Sequence, residues 1–277
     1  MGVALLTEAP GFSQDLRRGM QQAADSLGID LHVVLSEGDL ARQTAQVATF
    51  IARKMDGIVI TPVTSSGIVS AIDAANRARI PVFTADIVAE GGQVVTRVAS
   101  DDRQGGRLLG EFVAQRLHGG GNVAILDQPT VASVRDRVAA FRAALAAYPN
   151  IRIVAAPAVE RGQRDVAKHM MENLLATDQH IDAVFGTDDE CALGALAALQ
   201  APGGGPTGTF IVGYDATPEA RTAIAQGSAL VVDAVHNPVT IGRRTIEAVV
   251  ATLHGQSVPS TISVPVWLVD RDTLTKP

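Results

Sequence analysis

The sequence predicts an α/β protein of two doubly wound parallel-sheet lobes. Short apolar strand runs alternate with amphipathic helical runs from the first residues, and this alternation starts afresh after Gly119-Gly120-Gly121. The length of 277 residues also exceeds the usual single domain, which points to two lobes of roughly 100 to 150 residues. Alternation of this kind implies a parallel sheet with helices on both faces.

The first lobe opens with an apolar run, Val3 to Leu6. Phe12, Leu16, Met20, Ala23 and Leu27 then recur at helical spacing before Gly28, a left-handed stop. The pattern repeats as strand Leu31 to Leu35, helix Leu40 to Lys54, strand Gly57 to Ile60, helix Gly67 to Ala78 and strand Pro81 to Thr84. Strand Val94 to Val98 and helix Gly105 to Leu117 complete the half.

The second half runs through strand Val123 to Leu126, helix Ser133 to Ala147, strand Ile151 to Ala155, helix Arg164 to Ala176 and strand Ala183 to Phe185. Helix Glu190 to Leu199, strand Phe210 to Val212, helix Pro218 to Gln226 and strand Leu230 to Val235 follow. The glycine-rich stretch Pro202 to Gly208 joins a helix to a strand, the reverse of the order a phosphate-binding loop needs, and reads as a connector.

Composition narrows the function. Apolar residues make up 47% and charged residues 19% of the chain, as in a packed globular protein. The net charge is −6, and lysines and arginines are scattered along the chain, which disfavours nucleic acid as a partner. Every apolar run is well short of the roughly 18 residues of a membrane span. The single cysteine, Cys191, lies in an alanine-rich helical pattern and reads as a packed side chain. Val3 to Leu6 reads as a strand and not as the apolar region of a secretion leader.

Ligands of open parallel sheets bind beyond the carboxyl ends of the strands. Glu8, Asp86, Asp127, Asp188, Asp189, Asp215 and His236 all follow predicted strands. Capping of the next helix competes for Asp127 and Asp189. Asp86 and Asp215 read as ligand contacts. Arg135 and Arg137 flank Asp136 at a helix start; one is expected on the surface, and Arg135 is taken as the planar donor to ligand oxygens. Phe12 is either core or an apolar wall. His236 reads as a contact or as a cap for the helix at Pro238, and Trp267 and Tyr148 read as structural.

Several strings, taken in order, carry a family resemblance. These are Gly57-Ile58-Val59-Ile60-Thr61-Pro62-Val63, Ile80-Pro81-Val82 through Asp86, Ala99-Ser100-Asp101, Ala183-Val184-Phe185 through Asp188-Asp189-Glu190 with Ala192-Leu193-Gly194-Ala195, and Val212-Gly213-Tyr214-Asp215 with Thr217-Pro218. Together they resemble the ribose-binding branch of the type I periplasmic solute-binding proteins, the binding components of ABC importers.

The resemblance implies a clamp whose lobes are joined by a three-segment hinge and close around a monosaccharide or polyol. It implies an N-terminal lobe of residues 1–101 and 237–263 and a C-terminal lobe of 102–236 and 264–277, with a C-terminal strand Val264 to Val269. By position it carries over Phe12, Ser13, Asp86, Ile87, Arg135, Asp188, Asp215 and His236 as ligand-binding residues, with Glu8 added from the strand-end reading. Ser13 stands where a second aromatic is common, Ile87 where ribose binders have arginine, Asp188 where asparagine is usual and His236 where glutamine is usual. With aromatics at 4% of the chain, stacking on a sugar face is limited, and the acceptor-rich set suits hydroxyl donors.

The resemblance further implies an ABC permease partner, a monomer, no cofactor or metal, and a periplasmic or other extracytoplasmic location with the signal peptide absent from this sequence. The alternative is the effector-sensing core of a lactose-repressor-type regulator without its DNA-binding headpiece. An enzyme is disfavoured, because no Gly-x-Ser-x-Gly elbow, His-Glu-x-x-His helix or Walker lysine occurs.

Overall fold

Apolar strand runs and amphipathic helices form two units. A computed structural model describes residues 1–7, 12–177, 179–201 and 208–275. The first unit spans Met1–Ser100 and Asn237–Pro265, the second Asp101–His236 and Val266–Pro277.

The first unit contains β1 (Gly2–Leu5), α1 (Phe12–Leu27), β2 (His32–Leu35), α2 (Leu40–Ala52), β3 (Ile58–Ile60), α3 (Val69–Arg77), β4 (Val82–Ala85) and β5 (Thr96–Ser100). The second contains α4 (Asp102–Arg116), β6 (Gly120–Leu126), α5 (Ala132–Leu145), β7 (Asn150–Ala155), α6 (Arg164–Leu175) and β8 (Ala183–Gly186). It continues with α7 (Asp189–Gln200), β9 (Phe210–Tyr214), α8 (Pro218–Ala225) and β10 (Leu230–Val235). The chain then returns α9 (Pro238–Leu253) and β11 (Thr261–Val264) to the first unit, and gives β12 (Trp267–Asp270) and α10 (Arg271–Thr275) to the second.

The first sheet has the order β11-β5-β4-β3-β1-β2 and the second β12-β10-β9-β8-β6-β7. All pairings in the first are parallel. In the second, only β12 runs antiparallel, against β10. Strand order reverses between β1 and β3 and between β6 and β8, so loops diverge at those points and open the carboxyl ends of the strands.

Each sheet buries apolar side chains on both faces, which is why its strands read as continuous apolar runs and not as alternating ones. In the first unit, α1 and α9 cover one face through Leu16, Met20, Ile241 and Val249. The other face holds Val47, Phe50, Ile68 and Ile72. In the second unit, α4 and α5 supply Leu109, Val113, Val138 and Phe141, opposite a core of Met171, Leu193 and Ile224. Two of these helix pairs approach until backbones touch. A methyl group on Gly242 of α9 would lie 2.2 Å from the Leu16 carbonyl oxygen, and one on Gly106 of α4 would lie 2.0 Å from that of Arg137.

Several expected boundaries move. The strand expected at Val264 to Val269 is two strands in two sheets, because the chain leaves the first sheet at Val264 and joins the second at Trp267. The lobe boundary expected after residue 263 accordingly falls after Pro265. Helix α4 begins three residues before the expected Gly105, since the Asp101 carboxylate accepts from the Gln104 amide at 2.9 Å. Gly120 and Gly121 are strand residues of β6, paired with Asn150 and Ile151. The expected connector at 202–208 lies outside the described residues up to position 207.

Replacing Gly106 with Ala forces α4 away from Arg137 and is expected to cost about 1–3 kcal/mol of stability. Urea unfolding of Gly106→Ala checks this, and an unchanged midpoint refutes it.

Candidate functional site

The second unit gathers a polar cluster at the carboxyl ends of β8, β9 and β10. At its centre is Arg137 on α5, 7% exposed. Its Nε donates to Asp102 Oδ1 at 2.7 Å and its Nη1 to the Thr187 carbonyl at 3.0 Å. The guanidinium carbon lies 3.7 Å from the centroid of the Tyr214 ring, close enough for a cation–π contact. Burial acts against this charge, but Asp102 foremost, with Tyr214 and Asp215, outweighs it and keeps the group protonated. The Tyr214 hydroxyl donates to the same Asp102 oxygen at 3.3 Å, and burial pushes its pKa up.

Asp215 follows β9 and His236 follows β10. His236 Nε2 lies 2.9 Å from Asp215 Oδ1 and 3.2 Å from Arg137 Nη2. With a proton on Nε2 it donates to the carboxylate; with the proton on Nδ1 it accepts from the guanidinium. Asp215 also lies 3.9 Å from Arg137 Nη1, and its side chain is 34% exposed against 9% for Arg137 and 6% for His236. Of these three, the carboxylate is the group open to an incoming hydroxyl. Its backbone is held at φ 112° and that of Ala216 at φ 52°, a conformation costing on the order of 1–3 kcal/mol per residue and kept only where the surroundings enforce it.

Asp188 lies beside this cluster with both oxygens engaged inside the unit. Oδ1 accepts from the Cys191 amide at 2.7 Å, capping α7, and Oδ2 accepts from Gln128 Nε2 at 2.5 Å. Burial, then Asp215, raises its pKa. Capping by Asp189, weighed in the sequence, falls to Asp188 instead; Asp189 is buried and accepts from the Thr217 amide at 2.6 Å. The cap of α9 is Asn237, not His236. Asp127 is paired by its backbone with the 157–159 segment. Cys191 is fully buried and burial pushes its thiol up, as a packing role requires.

Arg135 lies outside the Arg137 cluster. It is exposed, and its Nη1 donates to the Pro129 carbonyl at 3.1 Å. The arginine that meets Asp215 is Arg137. Helical spacing carried the signal, because Arg137 falls on the inward face with Val134, Val138 and Phe141, whereas Arg135 points away from it.

In the first unit, Phe12 and Ser13 open α1, and Asp86 and Ile87 follow β4, all half-buried. Asp86 sits at φ 68°, and its amide donates to the Val98 carbonyl at 2.8 Å, which fixes the turn that carries its side chain. Glu8 lies outside the described residues. Gln43, which the sequence did not mark, is fully buried and ties the loops after β2 and β3 together. Its Nε2 donates to the Thr61 carbonyl at 2.8 Å, and its Oε1 accepts from the Val63 amide at 2.9 Å.

Trp267 and Tyr148, read as structural, are 44% and 37% exposed. Among the described residues, no group of three or more His, Cys, Asp or Glu side chains is placed to hold a metal ion. A concavity lined by Phe112, Arg116, Asp182 and Phe210 lies at the amino end of β9, away from this cluster.

Strand order and carboxyl-end acids are those of a two-unit doubly wound α/β protein with polar strand ends, and comparison with known proteins places that plan in a family. Residues 1–257 match the periplasmic binding protein domain family, and the chain belongs to that family. The ribose import binding protein RbsB of Bacillus subtilis is 33% identical over 97% of this chain and 86% of its own. Among solved structures, an ABC transporter solute-binding protein from Bacillus halodurans C-125 with bound myo-inositol aligns with a TM-score of 0.87 at 28% identity, covering 99% of this chain and 94% of that one. The arabinose-transporter binding protein of Shewanella sp. ANA-3, bound to L-arabinofuranose, aligns with the same TM-score and identity, over 99% and 92%.

Removing the Arg137 side chain leaves the part-buried Asp102 without its cation and the Thr187 carbonyl without its donor. Arg137→Ala is therefore expected to lose about 3–5 kcal/mol of stability, whereas Arg135→Ala, at an exposed position, is expected to lose less than about 1 kcal/mol. Chemical denaturation of the two variants side by side checks this, and equal losses would remove Arg137 from its central place.

Proposed function

We propose that this protein is the solute-binding component of an ABC importer, and that it captures a small monosaccharide or polyol without transforming it. The observation that carries the reading is Asp215. It is an ionisable acceptor at a strand's carboxyl end, held in a strained backbone conformation and kept partly open while Arg137 and His236 back it. Carboxylates accept hydroxyl protons through charge-assisted hydrogen bonds, which orient a polyhydroxylated ligand. Relatives named for import of ribose and solved relatives holding inositol or arabinose support the same class.

The residues proposed to take the ligand are Phe12, Ser13, Asp86 and Ile87 on the first unit, with Asp215 and His236 on the second. Glu8 is carried as a candidate from its position after β1. Arg137 is proposed in place of Arg135 as the guanidinium of the set, and Asp188 is proposed to act through Gln128 and the start of α7. The protein is proposed to work as a monomer in the periplasm or another extracytoplasmic space, without a cofactor, a metal or nucleic acid, and to hand its ligand to a permease. The regulator-core reading is not favoured, since curated relatives across nearly the whole chain are import binding proteins.

A thermal-shift panel of D-ribose, L-arabinose, D-allose, xylitol and myo-inositol tests the class. At least one is expected to raise the melting temperature, and Asp215→Ala is expected to weaken that ligand by roughly 2–4 kcal/mol. Stabilisation by an unrelated ligand class, with none from the panel, would overturn the assignment.

A further inference from the structure

Asp233 is an anomaly of the second sheet. It sits in the middle of β10, in register with Gly213 on one side and Val269 on the other, and is completely buried. Among the described residues, neither of its carboxyl oxygens has a well-formed hydrogen bond, the Ala216 amide being the backbone donor that faces it, and Oδ1 of Asp189 is equally unserved. These orphaned atoms belong to side chains that contact each other. Among the described residues, no cationic side chain lies within ion-pair distance of either acid. Two buried carboxylates in contact cannot both ionise. One proton between them serves one oxygen of each side chain, because the neutral acid donates to its ionised neighbour, and the remaining Asp233 oxygen is left to the Ala216 amide.

Among the described residues, no positive charge pairs with either acid. Besides each other, the charged group that acts on the pair is Asp215 from the turn after β9; the helices and strand alongside also carry Glu190 on α7, Glu219 and Arg221 on α8, and Asp270 on β12. Glu190 and Glu219 are both engaged by Arg164. Arg221 is turned to the Ala216 carbonyl, to which its Nε donates at 2.7 Å. Helix α4, the remaining element packed on β10, covers the opposite face of the sheet with the Leu109 and Val113 core.

We propose that Asp233 and Asp189 share one proton at neutral pH, and that this acid-to-carboxylate hydrogen bond is the positioning element that holds the Asp215-Ala216-Thr217 turn in its left-handed form. Asp189 reaches the turn directly, since its Oδ2 accepts from the Thr217 amide. Fixing Asp189 with a donor on its other oxygen therefore fixes the residues that follow Asp215. Burial, then the Asp189 charge, raises the pKa of Asp233 well above the ordinary carboxyl range; burial foremost pushes Asp189 up to about 6. The assignment that this turn presents Asp215 to a sugar rests on the proposed function. The shared proton does not.

Both shifts are upward, so the folded protein holds protons that the unfolded chain releases. Their contribution to stability is complete below the ordinary aspartate pKa and is lost as pH rises, for Asp189 by about pH 6 and for Asp233 until its higher folded value is passed. Asp233→Asn replaces the acid hydroxyl with an amide donor that cannot titrate.

The test uses the ligand-free full chain. At about pH 7.5, the infrared spectrum is expected to show the carbonyl stretch of a neutral carboxylic acid, absent in Asp233→Asn and retained in Asp188→Asn. The fall in melting temperature between about pH 6.5 and pH 9 is expected to shrink by at least half in Asp233→Asn. A wild-type spectrum without the acid band, a band that survives Asp233→Asn, or an unaltered alkaline fall overturns the proposal. Should Asp233→Asn fail to fold, Asp188→Asn decides: an acid band that survives in it supports the pair, and a band lost with it overturns the proposal. A present acid band, together with stabilisation by an unrelated ligand class and none by the sugar panel, would leave the shared proton standing and remove the proposed function.

Discussion

A single buried guanidinium sets the geometry of the second unit. Arg137 gathers a carboxylate from the start of α4, a carbonyl from the end of β8, the ring of Tyr214 at the end of β9 and the imidazole that follows β10. Each partner belongs to a different element, so the strand ends keep their spacing only while this charge is satisfied. The Gly106 contact lets α4 come close enough for Asp102 to reach it. Asp215 then stands at the open edge of a rigid network, which is what orienting a ligand requires.

In the first unit, amide groups hold strand-end loops at two points. Gln43 holds the loop after β3 at Thr61 and Val63 and reaches the Ser36 hydroxyl after β2, and the Asp86 turn is fixed through its amide to β5. A neutral amide brings a smaller desolvation cost than a charge.

Much of this was legible in the sequence, because doubly wound sheets announce themselves through continuous apolar strands and helical spacing. The strand-end positions of Asp86, Asp215 and His236 followed from that alternation and were identified directly. What the sequence concealed were choices between near neighbours. Arg135 and Arg137 differ by two residues, and only the inward stripe of α5 separates them. Asp188 and Asp189 are adjacent, and which one caps α7 depends on where the strand ends. Asp233 and Gln43 gave no motif, since a polar residue inside an apolar run looks like a surface position until its strand or helix is placed. The split of the C-terminal segment between two sheets was hidden because a run of valines around Pro265 has the look of one strand.

That split has a bearing on how the chain is made. β11 is an edge strand of one sheet and β12 an edge strand of the other, with Pro265 and Val266 between them. Until this short stretch leaves the ribosome, β5 and β10 each lack a neighbour and offer bare backbone to other chains. Both sheets are therefore completed last, by the same short stretch of chain.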